Sequence, residues 1–210
     1  MKEMLKYFLE IIGFLTSLLF PQSIYNSIND VKSHIYTGYR RRKFKHFGNM
    51  SLMASTVKIV NPQYISIGDN CEFFREVKLS ATEHYGLQNI MPELIIGNGC
   101  QIGDGNHITA INSIRIGNNL LTGSNVLISD NSHGESIVDM LNISPKDRPL
   151  FSKGKVVIGD NVWLCNNVCI LSNVSIGNGV IVAANSVVTH DIPDNCVVAG
   201  IPAKIIKMME

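Results

Sequence analysis

Ile158-Gly159-Asp160-Asn161-Val162-Trp163, Leu164-Cys165-Asn166-Asn167-Val168-Cys169, Ile170 to Ser175, and Ile176-Gly177-Asn178-Gly179-Val180-Ile181 together decide the fold of this chain. Each block of six opens on an aliphatic residue, and glycine or another small residue often follows. The frame runs on through Val182 to Val187 and Val188 to Pro193. A period of six fits neither the helical 3.6 nor the strand period of 2, so it signals a repeat architecture. Three blocks make one triangular coil of short strands and sharp corners. The opening aliphatic side chain points inward onto its equivalent one coil away, and its small neighbour lets the backbone turn. The predicted fold class is an all-β repeat, a parallel β-helix.

The same frame recurs upstream at Ile67-Gly68-Asp69-Asn70, Ile96-Gly97-Asn98-Gly99, Ile102-Gly103-Asp104-Gly105 and Ile116-Gly117-Asn118-Asn119. It slips by a couple of residues near Ile114 and breaks at about 82–93 and 134–155. Insertions in a repeat array leave as loops from one face, and such a face often carries function. The pattern therefore predicts roughly five or six coils with two excursions. Each inward Ile or Val is worth about 1.5–3 kcal/mol when fully buried. No isolated coil is stable, but the stack is.

The first 48 residues differ in kind. Met4 to Phe20 is apolar apart from Lys6, Glu10 and a few small polar residues, and Pro21 closes it. Spanning a bilayer takes about 20 apolar residues, and no A-x-A cleavage site of a secretory leader follows. Ile24 to Tyr39 reads as a second helix, and Arg40-Arg41-Arg42-Lys43-Phe44-Lys45 as a basic run. Two readings stand: a helical hairpin capping the open end of the array, or a segment lying on a membrane surface with the basic run near anionic headgroups. The domain plan is a helical cap over 1–48 and a β-helix over 49–210.

Composition fits one domain of repeat type: 210 residues, 45% hydrophobic, 17% charged, net charge +1. Near-neutral charge gives no electrostatic reason to expect a nucleic-acid partner. The five cysteines show no CxxC spacing and read as reduced, structural residues of a cytoplasmic protein.

Four stretches carry a resemblance. They are Val126-Leu127-Ile128-Ser129-Asp130-Asn131-Ser132-His133-Gly134, Pro149-Leu150-Phe151-Ser152-Lys153-Gly154, Val157-Ile158-Gly159-Asp160-Asn161-Val162-Trp163 and Ala199-Gly200-Ile201-Pro202-Ala203-Lys204. Together they resemble the hexapeptide-repeat acyltransferases, left-handed β-helix enzymes that include galactoside and maltose O-acetyltransferases. The histidine loop, the segment after it and the N-terminal helices look like the branch that acetylates bacterial surface polysaccharides and their precursors.

The resemblance implies a homotrimer with active sites between subunits, acetyl-CoA as co-substrate, no metal, and a sugar hydroxyl as acceptor. The reduced cysteines point to the cytoplasm, and the N-terminal segment leaves peripheral contact at the inner face of the membrane as an open reading. His133 matches the family's catalytic histidine; an imidazole with a pKa near about 6.5 is suited to take the hydroxyl proton. Asn106, His107, His84 and Asp130 are the candidates around the acceptor, Asp130 as an orienter of His133 if a turn brings the two together. Carried over position by position, Trp163, Asn166, Ala184, Thr189, His190, Lys204 and Lys207 are the candidates for CoA. Chemistry adds that Lys204 and Lys207 are cations for nucleotide phosphates and that Trp163 offers a flat face to the pantetheine arm or to a neighbouring subunit.

The chain departs from the family at Trp163-Leu164-Cys165, where W-I-G is usual, and at Ala183-Ala184-Asn185-Ser186, where G-A-G-S is usual. His190 stands at a position that is often lysine. The rival readings are acetylation of an antibiotic of the chloramphenicol or streptogramin type, N-acetylation of an amino sugar, and a trimeric scaffold without catalysis. A γ-carbonic-anhydrase-like zinc site lacks the paired histidines it needs.

Overall fold

The computed structural model describes residues 2–19 and 22–210. Phe20 and Pro21, which the sequence reading used to end the first helix, lie outside the described residues. Helix α1 spans Lys2–Leu19 and α2 spans Gln22–Arg40.

From His46 the chain winds through three parallel sheets in turn. The first coil places His46–Phe47 on a first face, Leu52–Met53 on a second and Lys58–Val60 on a third. Parallel pairing then advances one coil at a time; on the first face Ile65–Ile67, Glu93–Ile96, Ser113–Ile116, Val156–Ile158 and Val174–Ile176 follow in order. Six full coils result; Ile192, bridged to Ile176 on the first face, begins a seventh that Cys196–Gly200 continues on the second. The prism starts before the expected boundary at 49, because His46 and Phe47 already pair with Ser66 and Ile67.

Every block opener in the 158–188 run is buried: Ile158, Leu164, Ile170, Ile176, Val182 and Val188. The fifth position of each block also points inward, as Val162, Val168, Val174, Val180 and Ile192 are buried too. Two side chains per block thus fill the prism, twice what the opening frame alone implies. Cys71, Cys100 and Cys196 sit in this core as free thiols.

The glycine after each aliphatic residue answers to close approach. A Cβ on Gly97 would lie 2.5 Å from the carbonyl oxygen of Gly117, and one on Gly68 would lie 2.7 Å from that of Gly97. The left-handed turn falls two residues later, at Asn70, Gly99, Asn119, Asn161 and Gly179, residue types that tolerate positive φ. The Asp or Asn beside the glycine links neighbouring coils. Its Oδ1 accepts the amide of its counterpart, from Asn49 N to Asp69 (2.6 Å), through Asn98, Asn118, Asp160 and Asn178, to Asp194 (2.7 Å).

Both ends are covered, as an array with exposed strand edges requires. At one end α2 lies on the first coil. The Thr37 hydroxyl accepts from Met53 N (2.9 Å) and donates to Met53 O (3.2 Å), Tyr36 Oη donates to Val57 O, and Arg40 reaches Ile59 O. At the other end, Ala203–Met208 turns back antiparallel along Cys196–Gly200, after a cis Ile201–Pro202 bond. Helix α1 takes no such place: Met4, Tyr7, Phe8, Phe14 and Leu18 are all exposed.

Candidate functional site

Both excursions leave from the same edge of the prism, where a third-face strand hands over to the first face. One follows Lys78–Ala81 and the other follows Leu127–Ser129. A single coil corner, Ala110–Ser113, separates them. This corner is the frame slip seen near Ile114. Asp130 closes it: its carboxylate accepts Ile111 N at 2.8 Å and Asn112 N at 2.9 Å while fully buried. Burial raises its pKa above the ordinary aspartate value, against the pull of these amides.

The first excursion is a hairpin pairing His84–Tyr85 with Gln88–Asn89. In the second, Ser132–His133 pairs antiparallel with Leu150–Phe151, and two short 3-10 turns, Val138–Asn142 and Pro145–Asp147, lie between. The hairpin docks on this ladder. The Gln88 amide donates to Leu150 O (3.0 Å) and accepts from Leu150 N (2.6 Å). Tyr85 Oη lies 3.1 Å from His133 Nδ1 and donates to Lys146 O, and the two rings meet edge to face at 5.3 Å.

His133 is exposed and lines a cleft of about 490 Å³ with Gly134, Glu135, Val138, Leu141 and Arg148. Gly134 is required here twice over. Its φ is +82, and a Cβ would lie 2.8 Å from the Arg148 side chain packed across it. Arg148 is anchored by Ile143 O at 2.9 Å.

Among the expected acceptor residues, His84 lies on the first hairpin, its Nδ1 bonded to Asn89 Oδ1, and is not among the residues lining the cleft. Asn106 and Asp130 do not present themselves to a cleft. Asn106 is 1% exposed at the inward fifth position of its block, where its Oδ1 accepts Val126 N and its Nδ2 donates to Thr122. Asp130 is spent on the corner amides, and the side chain within hydrogen-bond distance of His133 Nδ1 is that of Tyr85. His107 stands outward on the third face between Lys78 and Leu127. Its Nε2 is buried without a hydrogen-bond partner, and burial first, then Lys78, lowers its pKa.

The expected CoA residues divide into two groups. Trp163 points outward on the second face, 45% exposed, in register with Leu121 and Ile181. Asn166 and Ala184 lie at the corner that follows, where Asn166 Oδ1 accepts Ser124 N and Asn166 O accepts Asn185 N. Lys204 and Lys207 are exposed on the last strand of the same face, opposite Ala199 and Val197. Thr189 and His190, bonded to each other at 2.8 Å, lie instead on the edge from which the excursions leave. In a three-sided prism that edge is opposite the second face, so the excursion carrying His133 and the strand carrying Trp163 leave one chain from opposite sides.

Tyr85, Gln88 and Arg148 are site residues that sequence reasoning missed. Tyr85 adjoins His84, but nothing local says which histidine it would meet. Among the described residues no three His, Cys, Asp or Glu side chains are grouped as a metal ion would need.

Residues 155–190 match the family described as bacterial transferase hexapeptide (six repeats). Escherichia coli K12 WbbJ, assigned provisionally as an O-acetyl transferase of lipopolysaccharide biosynthesis, is 46% identical over 118 residues, 54% of this chain and 60% of that protein. The chain thus spans less than two thirds of this curated relative. AntD, an N-acyltransferase from Bacillus cereus solved with dTDP and 3-hydroxybutyryl-CoA, superposes with a TM-score of 0.67 at 22% identity, over 82% of this chain and 87% of that one. A hexapeptide-repeat acetyltransferase from Vibrio cholerae, VCA0836, solved with acetyl-CoA, gives 0.53 at 26% identity, over 82% and 75%. With its three parallel faces and its matched repeats, the chain has the left-handed β-helix fold of the hexapeptide-repeat acyltransferases.

Proposed function

We propose that this protein transfers an acetyl group from acetyl-CoA to a sugar hydroxyl of a bacterial surface polysaccharide or its precursor. The observation that carries the proposal is His133, exposed at the rim of the cleft on a ladder braced by both excursions. The likeness to WbbJ supports the substrate class and the likeness to VCA0836 supports the acyl donor.

Acetyl-CoA brings an already activated thioester. What the reaction lacks is an activated nucleophile, and His133 provides the base that activates the acceptor hydroxyl. The imidazole takes the acceptor hydroxyl proton as oxygen attacks the thioester carbonyl carbon, and returns it to sulfur as the C–S bond breaks. General-base action of this kind is worth about 10²–10⁴-fold in rate. Lys204 and Lys207, exposed three strands from outward-facing Trp163 on the same second face, suit a phosphate-bearing, partly apolar ligand.

Because the His133 excursion leaves the edge opposite the face that carries Trp163, a site using both draws on a second copy. This supports a homotrimer with sites between subunits, and the outward apolar column Leu121–Trp163–Ile181 supports contact there. Light scattering giving a monomer at working concentration would remove this part of the reading.

Helix α1 we assign to a membrane surface, at the inner face of the cell membrane. No single described helix is long and apolar enough to cross a bilayer. Its exposed apolar residues, with the basic Arg41, Arg42, Lys43 and Lys45 beyond α2, suit an anionic interface.

The test is release of free CoA thiol against a panel of sugars, oligosaccharides and chloramphenicol, with wild type and His133→Ala side by side. Sugar-dependent release that collapses in the variant is expected. Turnover surviving the substitution removes His133 from the mechanism, and acetylation of chloramphenicol alone overturns the substrate class.

A further inference from the structure

We infer that Tyr85 is a positioning residue that fixes the tautomer of His133, so that Nε2 is the nitrogen free to take a proton. The inference rests on the reading of His133 as the base. Its ground is a count of hydrogens. A phenol has one O–H to donate and can also accept. Tyr85 Oη lies within hydrogen-bond distance of two groups, the carbonyl oxygen of Lys146 and Nδ1 of His133. A carbonyl can only accept, so the phenol hydrogen goes to Lys146. The contact with His133 is then possible in one sense only: Nδ1–H donates and Tyr85 Oη accepts. In a neutral imidazole the partner of one nitrogen decides the state of the other, so Nε2 holds the lone pair.

The bracing around this contact keeps the phenol in place. Gln88, on the opposite strand of the Tyr85 hairpin, is bonded to both main-chain groups of Leu150, the residue paired with His133. Tyr85 and His133 are therefore held by two attachments between the excursions, one at the rings and one at the backbone. Through the proton cycle nothing at Nδ1 need move. Nε2 gains the hydroxyl proton as the C–O bond forms and gives it up to sulfur as the C–S bond breaks, while Nδ1–H stays on the phenol oxygen. A neutral acceptor suits this task, since the bond shortens when the ring is charged and relaxes when it is not.

The experiment is ¹⁵N NMR of the full-length protein labelled at histidine, read where His133 is neutral, with turnover measured in parallel. Wild type should show His133 with hydrogen on Nδ1. Tyr85→Phe, which keeps the ring and removes the oxygen, should move the hydrogen toward Nε2. It should also lower kcat about tenfold or more with the KM for acetyl-CoA unchanged. Gln88→Ala loosens the same docking but keeps the phenol, and should retain more of the Nδ1–H form than Tyr85→Phe. A wild-type His133 with hydrogen on Nε2 overturns the inference whatever the kinetics. So does a Tyr85→Phe protein with unchanged tautomer, or a Gln88→Ala protein that matches it. Failure of the base reading looks different: His133→Ala stays active while the wild-type NMR result stands.

Discussion

Replacing Gln88 by alanine tests the docking of the two excursions without touching the prism. The change removes two hydrogen bonds, to Leu150 O at 3.0 Å and from Leu150 N at 2.6 Å. Each is worth about 0.5–1.5 kcal/mol net, because water can take over where a group is only part-buried. Together they amount to about 1–3 kcal/mol, and at RT of about 0.59 kcal/mol the population with the excursions apart rises about 5- to 150-fold. Hydrogen exchange reads this directly. The Gly134 amide, bonded to Pro149 O at 2.8 Å within the second excursion, should exchange faster by that factor. First-face amides such as that of Ile116 should keep their wild-type rates, and the melting temperature should not move. Gln88→Glu keeps the acceptor and loses the donor, so it should fall between the two. Unchanged exchange at Gly134 would show that the hairpin does not hold the histidine ladder. Equal acceleration throughout the prism would show that the two are not separable units.

Three further outcomes are expected. Ile176→Asp places an unpaired charge at a core position only 2% exposed and should abolish soluble, folded protein; an unchanged melting temperature would mean the inward frame is wrong. His107 has a lowered pKa in the fold, so its contribution is fully present above the unfolded value near about 6.5 and is lost as pH falls through the folded value. His107→Gln should therefore lose less melting temperature than wild type between about pH 7.5 and 5.5, and parallel curves would refute the assignment. Deleting residues 2–19 should end co-flotation with vesicles containing phosphatidylglycerol while leaving the prism's melting temperature in place; flotation that persists would take α1 out of the membrane reading.

The fold was legible because it depends on a period, and a period survives in one dimension. Ile158, Leu164 and Ile170 announce it, and the structure adds only that Val162 and Val168 point inward as well. The excursions were legible as breaks in the frame, but their contents were not. Asp130 stands three residues before His133, which made it a natural orienter. Its burial against the amides of a corner one coil away depends on coil-to-coil stacking that local spacing does not encode. Tyr85 is 48 residues from His133 along the chain. Only the count of coils between the excursions brings the two together, and no short motif carries it. Asn106 failed for a related reason: at the fifth position of its block it faces the core, where its amide is bonded to Val126 N and Thr122.

The shared edge of the two excursions has a consequence for how such a site can change. Successive coils are one strand spacing apart, about 4.8 Å, and the linked Asp and Asn side chains along the corner after the first face hold every coil to that step. The prism therefore works as a ruler with coarse graduations. Adding or removing one coil between the hairpin and the histidine ladder would leave every other coil packed as before, yet move Tyr85 relative to His133 by a full graduation, more than a hydrogen bond can stretch. Fine adjustment is left to the loops, while the array permits only whole steps.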